Sequence, residues 1–397
     1  MRVLLMDVNC KYSSTGRIIY DLYTRLNAGG HAAAIAYGRG PLVEEDNIYR
    51  FSPQWEVGLH GLLTRITGYT GGFSPLATRR LLKFMDEFKP DVVHLNDMHG
   101  YFVNVIPLME YLKAKHIKSI WTFHCEFMYT GKCGYAYECE QWKSQCVHCP
   151  HLKEYPRSLV FDRTAYMFRK KKKAFQGWKE LTIVTPSDWL KDRVEQSFLK
   201  NYKVEVVHNG LNTNIFFPHK GEQLKERLGI KEEKVVLAVA PNLLSERKGG
   251  RYVIELAEKM AEENVKVVMV GTGDSAQMLG KNIINVGDIK DAERLAEYYS
   301  MADVFVLCSK RETFSMTTAE ALCCGTPVVG FLAGAPETIA LKQYSSFVPY
   351  GDVTSLKREV ENVLKEERGR DAEQIAKEAK RRYSEEVMFQ NYFALYQ

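Results

Sequence analysis

Two glutamates, Glu312 and Glu320, stand eight residues apart in the run RETFSMTTAEALCCGTPVV, separated by the turn Thr313, Phe314, Ser315. A carboxylate accepts hydrogen bonds from sugar hydroxyls but cannot usefully touch phosphate, whereas the open N–H groups of a helix N-terminus attract it. The stretch MTTAEALCC predicts a helix that starts after Ser315 and stops at Gly325, with Pro327 opening the apolar strand PVVGF. Glu312 then lies in the loop before the helix and Glu320 in its second turn, with the amides of 315 to 318 pointing into the same space. That arrangement suits a ligand anionic in the middle and polyhydroxylated at both ends, which describes a nucleotide sugar. The competing reading is a capped helix with two solvent-exposed glutamates.

A second concentration of chemistry is the run Cys133, Cys139, Cys146, Cys149, closed by Pro150. Four of the nine cysteines thus fall within one short segment. Four thiolates at this density suit a tetrahedral Zn²⁺, with His148 as a substitute ligand, and they equally suit unliganded thiols packing a loop.

The elements that must position these groups follow from periodicity. RVLLMDV reads as a buried parallel strand, and NCKYSSTGR leads from it into an apolar-periodic helix (Ile18, Ile19, Leu22, Leu26) ended by Gly29-Gly30. This opens a Rossmann-like half, with Thr15 and Gly16 in a loop at the carboxyl end of the sheet, where ligands bind. Ala32–Tyr37 is a further strand, and the stretch from about Gly38 to Pro75 is expected to be irregular, partly mobile and acceptor-facing. DVVHLN and KSIWTFH are strands, and the second places His124 at the same edge as Gly16. LTIVT and Val204–Val207 complete the half. The second half restarts with VVLAVA, followed by PNLLSERKGG and a helix, then VKVVMVGTG, IINVGDI and ADVFVLCS.

The 397 residues suit two domains, and 45% hydrophobic with 26% charged content is that of a globular protein. A net charge of +5 is too small to imply nucleic acid. The basic block Arg169–Lys173 lies among Tyr166, Met167, Phe168, Phe175 and Trp178, and reads either as a solvated helix face with a few core contacts or as a membrane-surface contact. The N-terminus reads as a strand, not a signal peptide, and no apolar run is long enough to span a bilayer. The expected compartment is the cytoplasm, including the inner face of the membrane.

The segment from Ala302-Asp303 to Pro327 resembles the E-x7-E signature of retaining glycosyltransferases of the large fourth family, whose fold is GT-B: α/β, two Rossmann-like domains facing a central cleft. Thr313 and Ser315 stand where the family pattern has glycines. WTFHCEFMYTGKC…CEQWKSQCVHCP resembles a cysteine-insertion subgroup of that family, with Cys125-Glu126 where an aspartate commonly follows the histidine. HNGLNTNIFFP resembles its interdomain linker. The resemblance implies an acceptor-side domain over 1–208, with the helix 384–397 packing back on it, and a nucleotide-sugar-binding domain over 209–383.

Carried over residue by residue, the resemblance places His124 beside the donor sugar, Gly16 near the diphosphate or acceptor, and Lys248, with Arg247 as the second cation, on the diphosphate. Glu312 takes the sugar and Glu320 the ribose. Phe314, Ser315 and Met316 supply backbone contacts, as does the glycine-bearing exit at Gly271, and the loop Gly287 to Ile289 holds the base. A nucleoside diphosphate sugar is the implied co-substrate and a sugar or lipid-linked hydroxyl the acceptor. With no Asp-x-Asp after a strand, no catalytic metal or other catalytic cofactor is expected. Alternatives are a GT-B epimerase or phosphorylase, for which extra carboxylates or a pyridoxal lysine would be needed, and a zinc-containing nucleic-acid-binding protein.

Overall fold

The computed structural model describes residues 1–273, 280–365 and 371–397. They form two compact units, Met1–Val207 with Phe389–Gln397, and His208–Met388. The first contains, in chain order, β1 (Arg2–Asp7), α1 (Ser14–Ala28), β2 (Ala32–Tyr37), β3 (Ile48–Arg50), α2 (Gln54–Thr67), α3 (Pro75–Phe88), β4 (Val92–Leu95), α4 (Val105–Ala114), β5 (Lys118–Thr122), α5 (Thr164–Phe175), β6 (Leu181–Thr185), α6 (Asp188–Glu195) and β7 (Lys203–Val206). Its seven strands are all parallel, in the order β3-β2-β1-β4-β5-β6-β7.

The second unit contains α7 (Glu222–Arg227), β8 (Lys234–Val239), α8 (Gly250–Lys259), β9 (Val265–Val270), β10 (Ile283–Gly287), α9 (Ala292–Met301), β11 (Val304–Leu307), α10 (Met316–Cys323), β12 (Val328–Phe331), α11 (Pro336–Ile339), β13 (Ser345–Val348), α12 (Val353–Lys365) and α13 (Ala372–Tyr383). Its six-stranded parallel sheet runs β10-β9-β8-β11-β12-β13. Each sheet reverses its order once, between β1 and β4 and between β8 and β11, and the crevice at such a reversal is where α/β sheets bind ligands.

The strands are short and apolar on both faces because helices cover both. Val3, Leu4, Leu5 and Met6 of β1 and Val235, Val236 and Leu237 of β8 have no exposed surface. Fully burying one such aliphatic side chain is worth about 1.5–3 kcal/mol, so the central strands hold the sheets together. In α1, Ile18, Ile19, Leu22 and Leu26 form the buried stripe, Ser13 caps the start by accepting from Gly16 N at 2.9 Å, and Gly29 ends it.

The last helix, α14 (Glu385–Tyr396), carries the chain into the first unit. There Tyr392 and Tyr396 are buried, bonded to Thr122 Oγ1 at 3.0 Å and to His94 Nδ1 at 2.7 Å. His94 Nε2 meets Thr122 Oγ1 at 2.8 Å, so both nitrogens of this buried ring are satisfied locally.

The stretch from Gly38 to Pro75 departs from the irregular loop expected of it, since it holds β3 and α2. The helix α2 is inverted. Its buried face carries Glu56, His60, Gly61 and Thr64, while Trp55, Leu59, Leu62 and Ile66 are exposed. Glu56 accepts from the first-turn amides of α3, Leu76 N at 2.9 Å and Ala77 N at 2.8 Å, and His60 Nδ1 bonds Ser74 Oγ at 2.7 Å.

The basic block is not a single solvated face either. Lys171 of α5 is buried, donates to Phe127 O and lies over the Phe127 ring at 4.0 Å, and burial pushes its ammonium pKa down to about 7. Arg169, Lys172 and Lys173 are exposed.

Among the described residues no helix is long and apolar enough to cross a membrane.

Candidate active site

In the second unit the cations and the first glutamate of the E-x7-E run come together. Lys248 Nζ donates to Glu312 Oε1 at 2.6 Å, and Arg247 Nη1 lies 3.6 Å from the same oxygen. Glu312 and Lys248 are mostly buried, with 12% and 14% of their side chains exposed, while Arg247 reaches 36%. Burial works to raise the Glu312 pKa, but Lys248 and Arg247 outweigh it and hold the carboxyl below its ordinary value.

Backbone contacts fix both sides of the pair. Lys310 N donates to Arg247 O at 2.8 Å, and Glu312 forms a bridge with Gly334 through Glu312 N to Ala333 O at 2.9 Å and Ala335 N to Glu312 O at 3.1 Å. Gly249, at φ +72°, lets the loop turn into α8, and a Cβ there would stand 2.1 Å from Cys308 O. Glu337, which the sequence reading passed over, accepts from Ala333 N at 3.2 Å and Gly334 N at 2.9 Å and so braces the strand exit that Glu312 bridges.

Ser315 caps α10 from a left-handed conformation, φ +84°, the region the family's glycine would occupy without strain. Its Oγ accepts from Thr318 N at 3.4 Å and lies 2.9 Å from Thr318 Oγ1. The geometry of a first turn leaves the amides of Met316 and Thr317 without helical partners. Phe314 is buried between His208 and Tyr383, with ring centroids at 6.0 and 6.1 Å. Glu320 lies one helical turn on, where it accepts from the Tyr299 hydroxyl at 2.9 Å.

Gly271 and Gly287 meet directly. Gly271 N donates to Gly287 O at 2.7 Å and Gly271 O accepts from Leu243 N at 2.8 Å, so Gly271 ties together the exits of β8, β9 and β10. It sits at φ +92°, where a Cβ would fall 1.8 Å from Ala240 O. Gly287, at φ +73°, has open space around it. Ile289 is half-buried against the core of this unit.

In the first unit the strand-end histidine has neighbours that spacing did not reveal. His124 Nε2 pairs with Asn96 Oδ1 at 3.0 Å. Because Asn96 Nδ2 is directed to Met6 O at 3.3 Å, its oxygen is the acceptor and the proton of this hydrogen bond resides on His124 Nε2. Burial, with His99 nearby, holds the His124 pKa below the ordinary histidine range against the pull of Asp97.

Asp7, at the end of β1, accepts from Asp97 N at 3.0 Å and from the Thr15 hydroxyl at 2.8 Å. Burial, and then the neighbouring Asp97, push its pKa up to about 7. Asp97 Oδ1 lies 3.4 Å from His99 Nε2, and Asp97, His99 and Cys125 present their polar atoms within 4.8 Å of one another. The signal available beforehand was positional: Asp7, Asp97 and His99 close or follow β1 and β4, the two strands at the sheet's reversal.

Gly16 lies inside the first turn of α1, not in the preceding loop, and its amide is taken by the Ser13 cap. Glu126, the nearest carboxylate to the position where the subgroup commonly has aspartate, is fully buried and consumed by Arg193 Nε at 2.6 Å, the Tyr129 hydroxyl at 2.8 Å and Ala136 N at 2.6 Å. It anchors the cysteine loop from within.

Comparison with known proteins places the chain in a family and a fold. Residues 15–215 match the family profile Glycosyltransferase Family 4, and residues 220–382 match Glycosyl transferases group 1. The chain is 23% identical, over the full length of both, to the putative colanic acid biosynthesis glycosyl transferase WcaC of Escherichia coli. It is 26% identical to the N-acetyl-alpha-D-glucosaminyl L-malate synthase of Bacillus anthracis over 48% of this chain and 52% of that one. Among solved structures, sucrose-phosphate synthase from Thermosynechococcus elongatus superposes with a TM-score of 0.71 at 17% identity, covering 100% of this chain and 98% of that one. HepE of Anabaena, in complex with UDP and glucose, does so with a TM-score of 0.66 at 14% identity, covering 99% and 98%.

Proposed function

Because the chain belongs to Glycosyltransferase Family 4 and has the GT-B fold of two Rossmann-like units, we propose that it moves a sugar from a nucleoside diphosphate sugar to a hydroxyl acceptor with retention at the anomeric carbon, in the synthesis of a cell-surface polysaccharide or glycolipid. The observation that carries this reading is the bracketing of one Glu312 oxygen by Lys248 and Arg247, in the unit whose α10 N-terminus follows directly. Two fixed cations and a set of first-turn amides suit a diphosphate, and two carboxylates on either side suit hydroxyls. The UDP and glucose in the Anabaena neighbour's complexes favour the same ligand class.

In this reading Lys248, Arg247 and the amides of Ser315 and Met316 stabilise the charge that grows on the leaving diphosphate. The bond from C1 to the phosphate oxygen breaks while the acceptor oxygen bonds C1 on the same face. The acceptor's proton passes to the departing phosphate oxygen. Glu320 holds the ribose, Glu312 the transferred sugar, and the loop Gly287 to Ile289 the base. His124 is assigned to the sugar hydroxyls; with its pKa held below the ordinary histidine range, its Nε2–H donates to Asn96 Oδ1. The chemistry draws on no catalytic metal.

The acceptor end of this reading is a lipid-linked hydroxyl reached from an anionic membrane surface. What supports it is the outward apolar face of α2, Trp55, Leu59, Leu62 and Ile66, together with exposed Leu159, Val160 and Phe161, joined to the end of α2 by Leu159 N to Arg65 O at 2.7 Å. Exposed Arg65, Arg157, Arg163 and Arg169 add positive charge in the same segments, the combination of apolar and basic groups that a lipid headgroup region attracts.

The test is a thermal-shift panel of UDP-, GDP- and ADP-sugars on the wild type and on Lys248→Ala. One nucleotide class is expected to raise the melting temperature of the wild type and to leave the variant unmoved, with transfer from that donor abolished in the variant. Near-normal turnover in Lys248→Ala, or no response to any of the three classes, would refute the assignment.

A further inference from the structure

The segment between β5 and α5, residues 123–163, contains a single three-residue turn of 3₁₀ helix, Gln141–Lys143, yet its first part, residues 123–137, is almost entirely buried. Loops of this length with almost no regular structure are uncommon in compact domains and need something else to fix them. Glu126 fixes the inner end. At the other end Cys133, Cys139, Cys146 and Cys149 all line one small cavity, walled by Ala136, Trp142 and Thr164.

The spacing of one pair of these sulfurs matches a metal better than it matches a disulfide. Cys133 Sγ and Cys149 Sγ stand 3.9 Å apart. Two sulfurs of a disulfide are about 2.05 Å apart. Two sulfurs on one tetrahedral Zn²⁺, each at about 2.3 Å from the ion, are about 3.8 Å apart. Gly131 N donates to Cys146 Sγ at 3.3 Å, a bond that favours a thiolate, and a side chain at position 131 would collide with Thr164 Cγ2 at 2.2 Å.

The surrounding charge also fits. A zinc ion with four thiolates carries a net charge of −2, which buried surroundings tolerate only beside cations. Lys132 and Lys171, 1% and 2% exposed, are both electrostatic neighbours of the cysteine cluster. Lys132 Nζ is held by three carbonyls, His151 O at 2.9 Å, Leu152 O at 3.2 Å and Glu154 O at 3.0 Å, so the loop closes around its charge.

We infer that Cys133, Cys139, Cys146 and Cys149 form a structural zinc site that clamps the loop following His124. Cys133 and Cys149 supply the preformed edge; no three of the four sulfurs lie within 4.8 Å of one another, so Cys139 and Cys146 turn in from the same cavity to complete the tetrahedron when the ion binds. Binding releases the thiol protons to solvent as the four thiolates form. His148, considered as a substitute from the sequence, does not line the cavity and is not a ligand. The site stands apart from the transfer chemistry, so it is testable whether or not the proposed donor is right.

The experiment uses the full chain purified without added metal. Elemental analysis should find about one zinc per chain. After removal by a chelator, Co²⁺ alone should restore a tetrahedral spectrum with charge-transfer intensity for four thiolates. Cys139→Ser should lower that intensity by about a quarter, and the Cys133→Ser/Cys149→Ser pair should reduce retained zinc more than tenfold. Because the double variant could fail to fold, alkylation of the wild type provides an independent reading: Cys139 and Cys149, the two cysteines that are not buried, should resist the reagent until chelator is added. Less than a tenth of an equivalent of zinc together with no thiolate-to-cobalt bands would overturn the assignment. So would iron in place of zinc, or a cobalt spectrum unmoved by Cys139→Ser.

Discussion

The pairing of Lys248 with Glu312 can be measured without knowing the substrate. In Lys248→Met the Glu312 carboxylate, only 12% exposed, keeps Arg247 at 3.6 Å as its cationic partner but loses the 2.6 Å bond. In Glu312→Gln two cations remain without the carboxylate between them. The double variant leaves neither the buried carboxylate nor the mostly buried ammonium. A hydrogen bond between charged groups is worth about 1.5–3 kcal/mol, and the residual Arg247 contact softens the loss in the first variant. A double-mutant cycle should therefore give a coupling of about 2 kcal/mol, with each single variant melting roughly 4–8 °C lower for a unit of this size.

The assay has a built-in separation of units. All five tryptophans, Trp55, Trp121, Trp142, Trp178 and Trp189, lie in Met1–Val207, so fluorescence follows the first unit alone while circular dichroism follows both. The loss should appear in the dichroism and not in the fluorescence. The pH dependence fixes the cause. Glu312 is held below its reference value of 4.5, so its contribution is complete above that pH and fades as pH falls through the lower, folded value. A coupling under about 0.5 kcal/mol at neutral pH, or one that persists unchanged in strong acid, would show that the two side chains are neighbours without being partners.

Further outcomes follow from other sites. Gly271→Ala should cost the second unit about 3 kcal/mol or more, because its Cβ would lie 1.8 Å from Ala240 O, whereas Gly287→Ala, in open space, should cost only the left-handed strain of about 1–2 kcal/mol; equal melting temperatures would contradict this. Asp7, with its pKa raised to about 7 from 3.8, holds a proton in the folded state that the unfolded chain has lost, so the first unit loses stability as pH rises from about 4 to about 7. His94, pushed down to about 3 from 6.5, acts in the opposite sense and loses stability as pH falls below 6.5. Asp7→Asn should therefore stabilise the first unit by roughly 1–3 kcal/mol at about pH 8, read by tryptophan fluorescence in urea, and leave the acid-side loss in place; a variant less stable at that pH would oppose the assignment. Leu59→Glu/Leu62→Glu should lower flotation with vesicles containing anionic lipid severalfold while leaving donor binding unchanged, and undiminished flotation would remove α2 from the membrane reading.

Much of the architecture was legible because parallel strands buried on both faces leave apolar runs, and helix ends leave their signals at Gly29 and Ser315. The E-x7-E run was legible for the same reason, since a loop, a cap and one helical turn are local and fix the spacing of Glu312 and Glu320. What was missed was α2, which lies in a stretch expected to be irregular and whose apolar residues Trp55, Leu59, Leu62 and Ile66 face outward. The sequence by itself determined two α/β halves, their strand edges and which residues were chemically capable. Only the tertiary structure decided that Lys248 meets Glu312 across 64 positions, that Asp7 shares its pocket with Asp97 across 90, and that Glu126 turns inward to Arg193. The physical reason is range: hydrogen bonds within a turn are set by neighbours, whereas the pairing of buried charges is set by which strand ends a parallel sheet brings side by side.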